Sequence, residues 1–352
     1  MLRTDPTVVF DRRRLAWGLL RLIGLVGVVV LAISSVPGLA GLRARLAGAD
    51  TGWVVSTAVL EVGSVACFVV ALRSALAERL RWRAAAAIGT TAQGVNVLVP
   101  AGGTGGLAAA GVIMTRAGIP AGFAATRLIA LFLLSSVATN VLLVIVAGLG
   151  VWAGILPGNA SPAASLLPAL AALAIVAALA VLLRRAPRAP RPARLRRWRS
   201  IALRALDYLR DGAACSGRLL RTGDPRLVLG ALGFVLLDLA ALDGAFHAVG
   251  AAALPAGSML LAYTLGQAGS IVSLPGTTEG GLVGVFLLYG APLVPATSAI
   301  LVYRAAQSLV PLALGLLGAL ELRRVLNAPA ALSAADAEDD GRDFCPAPAP
   351  PP

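Results

Sequence analysis

The sequence predicts an all-α polytopic membrane protein, with about six transmembrane helices and two re-entrant broken-helix hairpins in an inverted repeat. Three observations predict it. The chain is 58% hydrophobic and only 13% charged, with a mean hydropathy of +0.84, a composition suited to a bilayer rather than to water. Six apolar runs are long enough to cross a hydrocarbon core about 30 Å thick, which takes about 20 helical residues. Two further apolar runs are interrupted near their centres by matching glycine-proline signatures.

The six full spans fall at about 15–36, 53–73, 121–149, 164–183, 227–250 and 295–322, and the broken stretches at 84–117 and 258–290. The first signature runs from Gln93 and Asn96 through Pro100 to Gly105-Gly106-Leu107. The second runs from Gln267 through Pro275 to Gly280-Gly281-Leu282, so in both a proline is followed five residues later by Gly-Gly-Leu. Farther on, each copy has a Gly-x-Pro (Gly118 to Pro120, Gly290 to Pro292) and then an arginine in an apolar run, Arg127 or Arg304. Neither half of a broken stretch is long enough to cross alone. A hairpin that enters and leaves on one side is the economical arrangement, with its non-helical tip buried in protein or facing a wet cavity. Paired interruptions in corresponding halves point to the working centre of a transporter-like fold.

The net charge is +13, carried by arginine alone, since the chain has no lysine. In a soluble protein that imbalance would suggest nucleic acid. Here the arginines lie between apolar runs and report orientation. Arg3, Arg12, Arg13 and Arg14 precede the first span, Arg73 to Arg83 follow the second, and residues 184–226 hold 13 arginines. Residues 150–163 and 251–257 carry no charge. The positive-inside rule therefore predicts a plasma-membrane protein with both termini and the 184–226 loop in the cytoplasm, Arg43 and Arg45 being a minor exception. On this topology the first hairpin opens inward and the second outward, so the halves, about 15–150 and 164–324, are inverted copies. Residues 1–14 form a short cytoplasmic N-terminus, and 201–222 an amphipathic helix on anionic inner-leaflet lipid. The Ala-, Pro- and acid-rich tail, 325–352, is expected to be disordered.

With these elements in place, the chain resembles the transmembrane, flippase-like domain of lysylphosphatidylglycerol synthases and their stand-alone relatives. The resemblance rests on Asn96-x3-Pro100 with its following glycines, on Asp238, and on Leu274-Pro275-Gly276 leading to Glu279-Gly280. Tyr303-Arg304 and Pro311-x3-Gly315 add to it. Two departures bear on substrate choice: Ala101-Gly102-Gly103 stands where many relatives carry charge, and the second loop is shorter before its glutamate. The resemblance implies movement of a charged or glycosylated lipid head group across the bilayer. Lysylphosphatidylglycerol synthases carry an aminoacyl-transferase domain after the membrane part, whereas a short acidic tail follows Arg324 here, so no lipid aminoacylation is expected.

Ionisable groups inside spans cost about 2.5–3.5 kcal/mol on insertion scales and face the bundle interior, which singles out Glu61, Arg127, Asp238, Asp243, Glu279 and Arg304. Glu279, in the second tip, either binds a head group or caps the returning half-helix. Arg304 either holds a lipid phosphate through its planar fork or pairs with Glu279 or Asp238. Arg127 is expected to snorkel to the headgroups, and Glu61 to pair with an arginine. Asn96, Pro100, Gly102, Gly103, Pro275 and Gly276 complete the candidate substrate site, Asn96 and Gln93 being suited to satisfying open backbone groups at the first tip. No phosphate-binding P-loop, metal spacing, Ser/His pair or paired-carboxylate motif stands out, and His247 is the lone histidine. The expected function is thus a non-enzymatic lipid translocator, without metal or cofactor. The alternative is an accessory protein presenting a lipid-linked intermediate to a glycosyltransferase or synthase partner, and an enzyme acting on lipid phosphate through Glu279 and Asp238 ranks third.

Overall fold

A computed structural model describes residues 20, 40–76, 80–99, 104–185, 197–221, 223–268 and 277–326, giving the backbone alone for 197–205, 268, 277–279, 323 and 325–326. Among these residues the structure is helical, without strands. After α1 (Ala40–Ala47) comes α2 (Thr51–Ala75), then α3 (Trp82–Leu98) and α4 (Thr104–Arg116). Helix α5 (Ala121–Phe132) continues through a π-helical turn, Leu133–Ala138, into α6 (Thr139–Trp152). The second half contains α7 (Pro162–Arg185), α8 (Arg197–Arg221), α9 (Pro225–Ala248), α10 (Ala256–Ala268), α11 (Thr277–Leu288) and α12 (Leu293–Leu326).

Five helical rods are long and apolar enough to cross a bilayer: Thr51–Ala75, Ala121–Trp152, Pro162–Arg185, Pro225–Ala248 and Leu293–Leu322. They match five of the six spans read from the sequence. The first, 15–36, lies outside the described residues apart from Leu20, as do residues 1–14 and the tail from 327. Each broken stretch becomes two helices, 17 and 13 residues long in the first and 13 and 12 in the second. At 1.5 Å per residue, each is shorter than a hydrocarbon core about 30 Å thick.

Local chemistry sets the boundaries, and it does so twice. Asp50 and Asp224 are both N-caps, their carboxylates accepting from the backbone N–H of Trp53 and Arg226. Gly118 and Gly290 both take positive φ, 93° and 90°. Each ends its helix with the same pair of bonds: Gly118 N–H donates to Thr115 and Ile119 N–H to Met114, while Gly290 donates to Leu287 and Ala291 to Phe286. The proline that follows each turn cannot continue the helix.

Packing repeats as well. Helix α2 lies on α9, α3 on α12, α6 on α10, α3 on α4, α10 on α11, α1 on α12 and α5 on α8. Exchanging α1–α4 with α8–α11, and the α5–α6 rod with α12, carries this set of contacts onto itself. The central pair is antiparallel. Asp50 N–H meets the Ala248 carbonyl at 2.8 Å at one end, Ser64 Oγ donates to the Phe234 carbonyl at 2.8 Å midway, and Ser74 pairs with Asp224 at the other end. The exchange axis therefore crosses this pair, so one half runs opposite to the other. Two apolar cores flank it. One gathers Leu72, Ile88, Met114 and Leu131, the other Phe246, Leu261, Phe286 and Ile300.

Helix α7 turns Leu167, Leu170, Leu173 and Ile175 outward, and only 6% of its apolar window is buried, as suits a helix bathed in lipid. Arg45, one of the two exceptions to the predicted orientation, has a local reason for its place: its Nη1 donates to the Val249 carbonyl at 3.1 Å, capping the end of α9.

Candidate functional site

Asp238 sits midway along α9, 7% exposed, and gathers the polar groups of the second half around it. Tyr263 Oη donates to Oδ2 at 2.6 Å, and Tyr303 Oη lies 2.9 Å from both carboxylate oxygens. Gln307 Nε2 lies 3.2 Å from both, and Gln267 Nε2 3.4 Å from Oδ2. The two glutamines also reach the Tyr303 hydroxyl, at 3.3 Å and 2.6 Å. Arg304 Nη1 donates to Gln307 Oε1, and its guanidinium is close enough to Asp238 to act on it electrostatically.

Sequence spacing explains how two helices supply matched groups. Tyr263-x3-Gln267 on α10 and Tyr303-x3-Gln307 on α12 are i,i+4 pairs, which a helix places on one face. A buried carboxylate is tolerated only when its acceptor sites are filled, and four neutral donors with a nearby guanidinium fill them here. Glu61, 4% exposed, stands on α2 in the other half, and its Oε2 is buried without a hydrogen-bond partner among the described residues. The expected arginine partner of Glu61 is replaced by an acid. The register of α2 on α9 sets Gly63 against Leu237 and Ser64 against Phe234, and so brings Glu61 to the level of Asp238.

The half-helices converge on this place. Helices α3 and α12 cross antiparallel, Gly318 lying beside Ala87 and Thr90, and Gly315 and Pro311 beside Gly94. Running on past Gly94, the end of α3 and Asn96 therefore approach the stretch of α12 that bears Gln307 and Arg304, one to two turns before Pro311. Helix α10 ends at Ala268, one residue past Gln267.

The candidate residues divide into three groups. Asp238 and Arg304 come together in the cluster. Asn96 serves the backbone: its Oδ1 accepts from Gly106 N–H at 2.6 Å and its amide donates to Gln93 at 3.3 Å, closing α3 onto α4. Pro100, Gly102, Gly103, Pro275 and Gly276 lie outside the described residues, as does the side chain of Glu279, whose backbone occupies the first turn of α11. Two of the other ionisable groups sit elsewhere. Arg127 does not snorkel: 2% exposed, it donates from Nη1 to the Ala75 carbonyl at 2.9 Å and stacks on Phe123 at 5.0 Å. Asp243 and His247 lie 3.6 Å apart at the far end of α9, where His247 stacks on Trp53. Tyr263 and Gln307 did not stand out in the sequence, and Gln267 only as the start of the second signature, although the repeated Tyr-x3-Gln spacing carries the signal.

The cap makes a direct expectation. Asn96→Ala should cost about 1–2 kcal/mol, because the Gly106 N–H loses its acceptor, while Asn96→Asp, which keeps the oxygen, should cost less. Thermal melts of the purified variants check the order, and equal melting of Asn96→Ala and the parent would dismiss the cap.

A family model described as the lysylphosphatidylglycerol synthase TM region matches residues 18–315. The chain belongs to that family. No curated protein matches it significantly. The matched region takes in both signatures, every residue of the Asp238 cluster and the crossing at Gly315. Membership makes this a multi-pass membrane protein related to lipid modification or transport.

Proposed function

We propose that this member of the lysylphosphatidylglycerol synthase TM family is a lipid translocator, non-enzymatic, that passes a charged or glycosylated head group through the region of Asp238 and Arg304. One observation carries the reading: a buried polar cluster around Asp238, drawn from α9, α10 and α12, lies where the two halves pack together, away from the lipid-facing surface. Such a place suits binding near the midplane between inverted repeats. Arg304 supplies the phosphate-matching fork, and Glu279, at the head of α11, the acid for a cationic group. Both tips would be re-entrant, opening to opposite sides.

The protein sits in the plasma membrane with both termini inside. Anionic inner-leaflet lipids hold the 184–226 region through arginines of α8. That helix docks on α5 through Gly212 and Ser216, and leaves Tyr208, Leu209 and Leu220 exposed. Cysteine labelling should reach 150–163 from outside and 190–220 only after permeabilisation, and the reverse pattern would overturn the orientation.

Function is tested with the full chain in vesicles of phosphatidylcholine and phosphatidylglycerol, following fluorescent phosphatidylglycerol between leaflets. Arg304→Gln should slow movement at least about tenfold at normal yield, as expected from losing a charge-assisted contact. Arg304→Lys should restore part of the rate, since it keeps charge without the fork. Full rates in both Arg304→Gln and Glu279→Gln would remove the head-group site. A parent protein that retains lipid through purification yet moves none would favour the accessory role.

A further inference from the structure

We propose that Glu61 and Asp238 form a proton-binding site that couples lipid movement to a proton gradient. The inference rests on the translocator reading above and adds its energy source. Three observations on the described residues support it.

The first is the pairing of the two acids. The register of α2 on α9 sets Glu61 opposite Asp238, and Glu61 Oε2 is buried without a hydrogen-bond partner among the described residues, so the two facing acids are best accommodated with one proton between them. Without that proton the pair becomes two like charges facing each other, 4% and 7% exposed, midway along two spanning helices where a bilayer least tolerates them. Its gain or loss thus exchanges attraction for repulsion.

The second is the position of the pair. Glu61 stands on α2 in the first half and Asp238 on α9 in the second, across the antiparallel contact through which the exchange axis passes. Alternating access in inverted repeats is a movement of one half against the other. A proton shared across that seam is therefore placed to favour one arrangement over the other.

The third is the choice of ion. Asp238 receives the hydroxyls of Tyr263 and Tyr303 and the amides of Gln267 and Gln307. A metal cation would need oxygen lone pairs turned inward from these groups, whereas a proton between two carboxyls leaves the donors where they are. Among the described residues, the other ionisable groups facing the pair are Tyr263 from α10 and Tyr303 and Arg304 from α12. The π-helical turn and α6, packed on α9 from its other side, contribute no ionisable residue. Arg304 balances the single negative charge that remains.

Two measurements on the full chain in phosphatidylcholine–phosphatidylglycerol vesicles test the proposal. Infrared difference spectra at neutral pH should show a protonated-carboxyl band in the parent and in Asp243→Asn. That band should be lost in both Glu61→Gln and Asp238→Asn, and its survival in either would overturn the site. In the second measurement, an imposed difference of one pH unit should change the rate of fluorescent phosphatidylglycerol movement, by up to about tenfold, the ratio of proton activities. Glu61→Gln should remove that dependence. Lipid movement indifferent to the gradient, or a gradient response intact in Glu61→Gln, overturns the coupling alone. Absence of any lipid movement, with the band behaving as expected, instead brings down the translocator reading, and the coupling with it.

Discussion

Gly315→Leu is expected to abolish the folded protein. A Cβ built on Gly315 would lie 2.7 Å from the Gly94 Cα, 3.0 Å from the Thr90 carbonyl oxygen and 3.1 Å from the Gly94 nitrogen. A Cβ on Gly94 would in turn lie 2.9 Å from the Gly315 Cα, and one on Gly318 2.9 Å from the Ala87 oxygen. These neighbours are backbone, so no side chain can rotate to make room. Within the bilayer the hydrophobic effect does not press helices together, and a crossing is held by the close approach that small residues permit. Leucine at 315 would separate α3 from α12, and with α3 would go the placement of Asn96 and the first tip. The cost is about 3 kcal/mol or more, at the upper end of overpacking. Gly284→Leu is the control, because nothing lies within 4 Å of the Cβ it would add. Gel filtration and thermal melts in detergent should show a monodisperse control and no stable Gly315→Leu. Parent-like melting of Gly315→Leu would remove the crossing from the fold's requirements.

Much of the architecture was legible because membrane helices announce themselves through length and apolarity, and because turns depend on a few residues. Gly118-x-Pro120 and Gly290-x-Pro292 marked the same turn twice, and it forms twice with the same bonds. The arginines that follow were a weaker guide. Arg127 stands nine residues after its glycine and Arg304 fourteen, so they face different neighbours, one the end of α2 and the other the Asp238 cluster. The partner of Glu61 was not legible at all. Opposite charge suggested an arginine, but the choice was made by the register of α2 on α9. Small residues set that register: Gly230 closes against Cys67 and Ala71, Gly233 against Cys67, and Gly244 against Thr57. Tyr263 and Gln307 escaped notice, and Gln267 was marked only as the start of a signature, because neutral polar groups barely disturb a hydropathy pattern. Their burial around one carboxylate is a tertiary property.

Asp238→Ala is expected to be the most destabilising single change in the cluster. It removes the common acceptor of Tyr263, Tyr303, Gln267 and Gln307, and it leaves Glu61 and Arg304 without the group that links them. A buried donor without a partner costs about 1–3 kcal/mol. The four losses do not simply add, because both glutamines already contact the Tyr303 hydroxyl and can pair with it further. The net loss should therefore be about 3–5 kcal/mol, the range for breaking a buried charged arrangement by removing one partner. Asp238→Asn keeps one oxygen for the tyrosines and offers an amide to Glu61, so it should fold at a smaller cost while losing the charge that faces Arg304. Asp243→Ala, half exposed at the far end of the same helix, should change little. Melting temperatures in lipid-containing detergent should rise from Asp238→Ala through Asp238→Asn to Asp243→Ala. If Asp238→Ala melts with the parent, the cluster does not hold the two halves together, and a stable Asp238→Asn with altered lipid movement would place its role in transport rather than in folding.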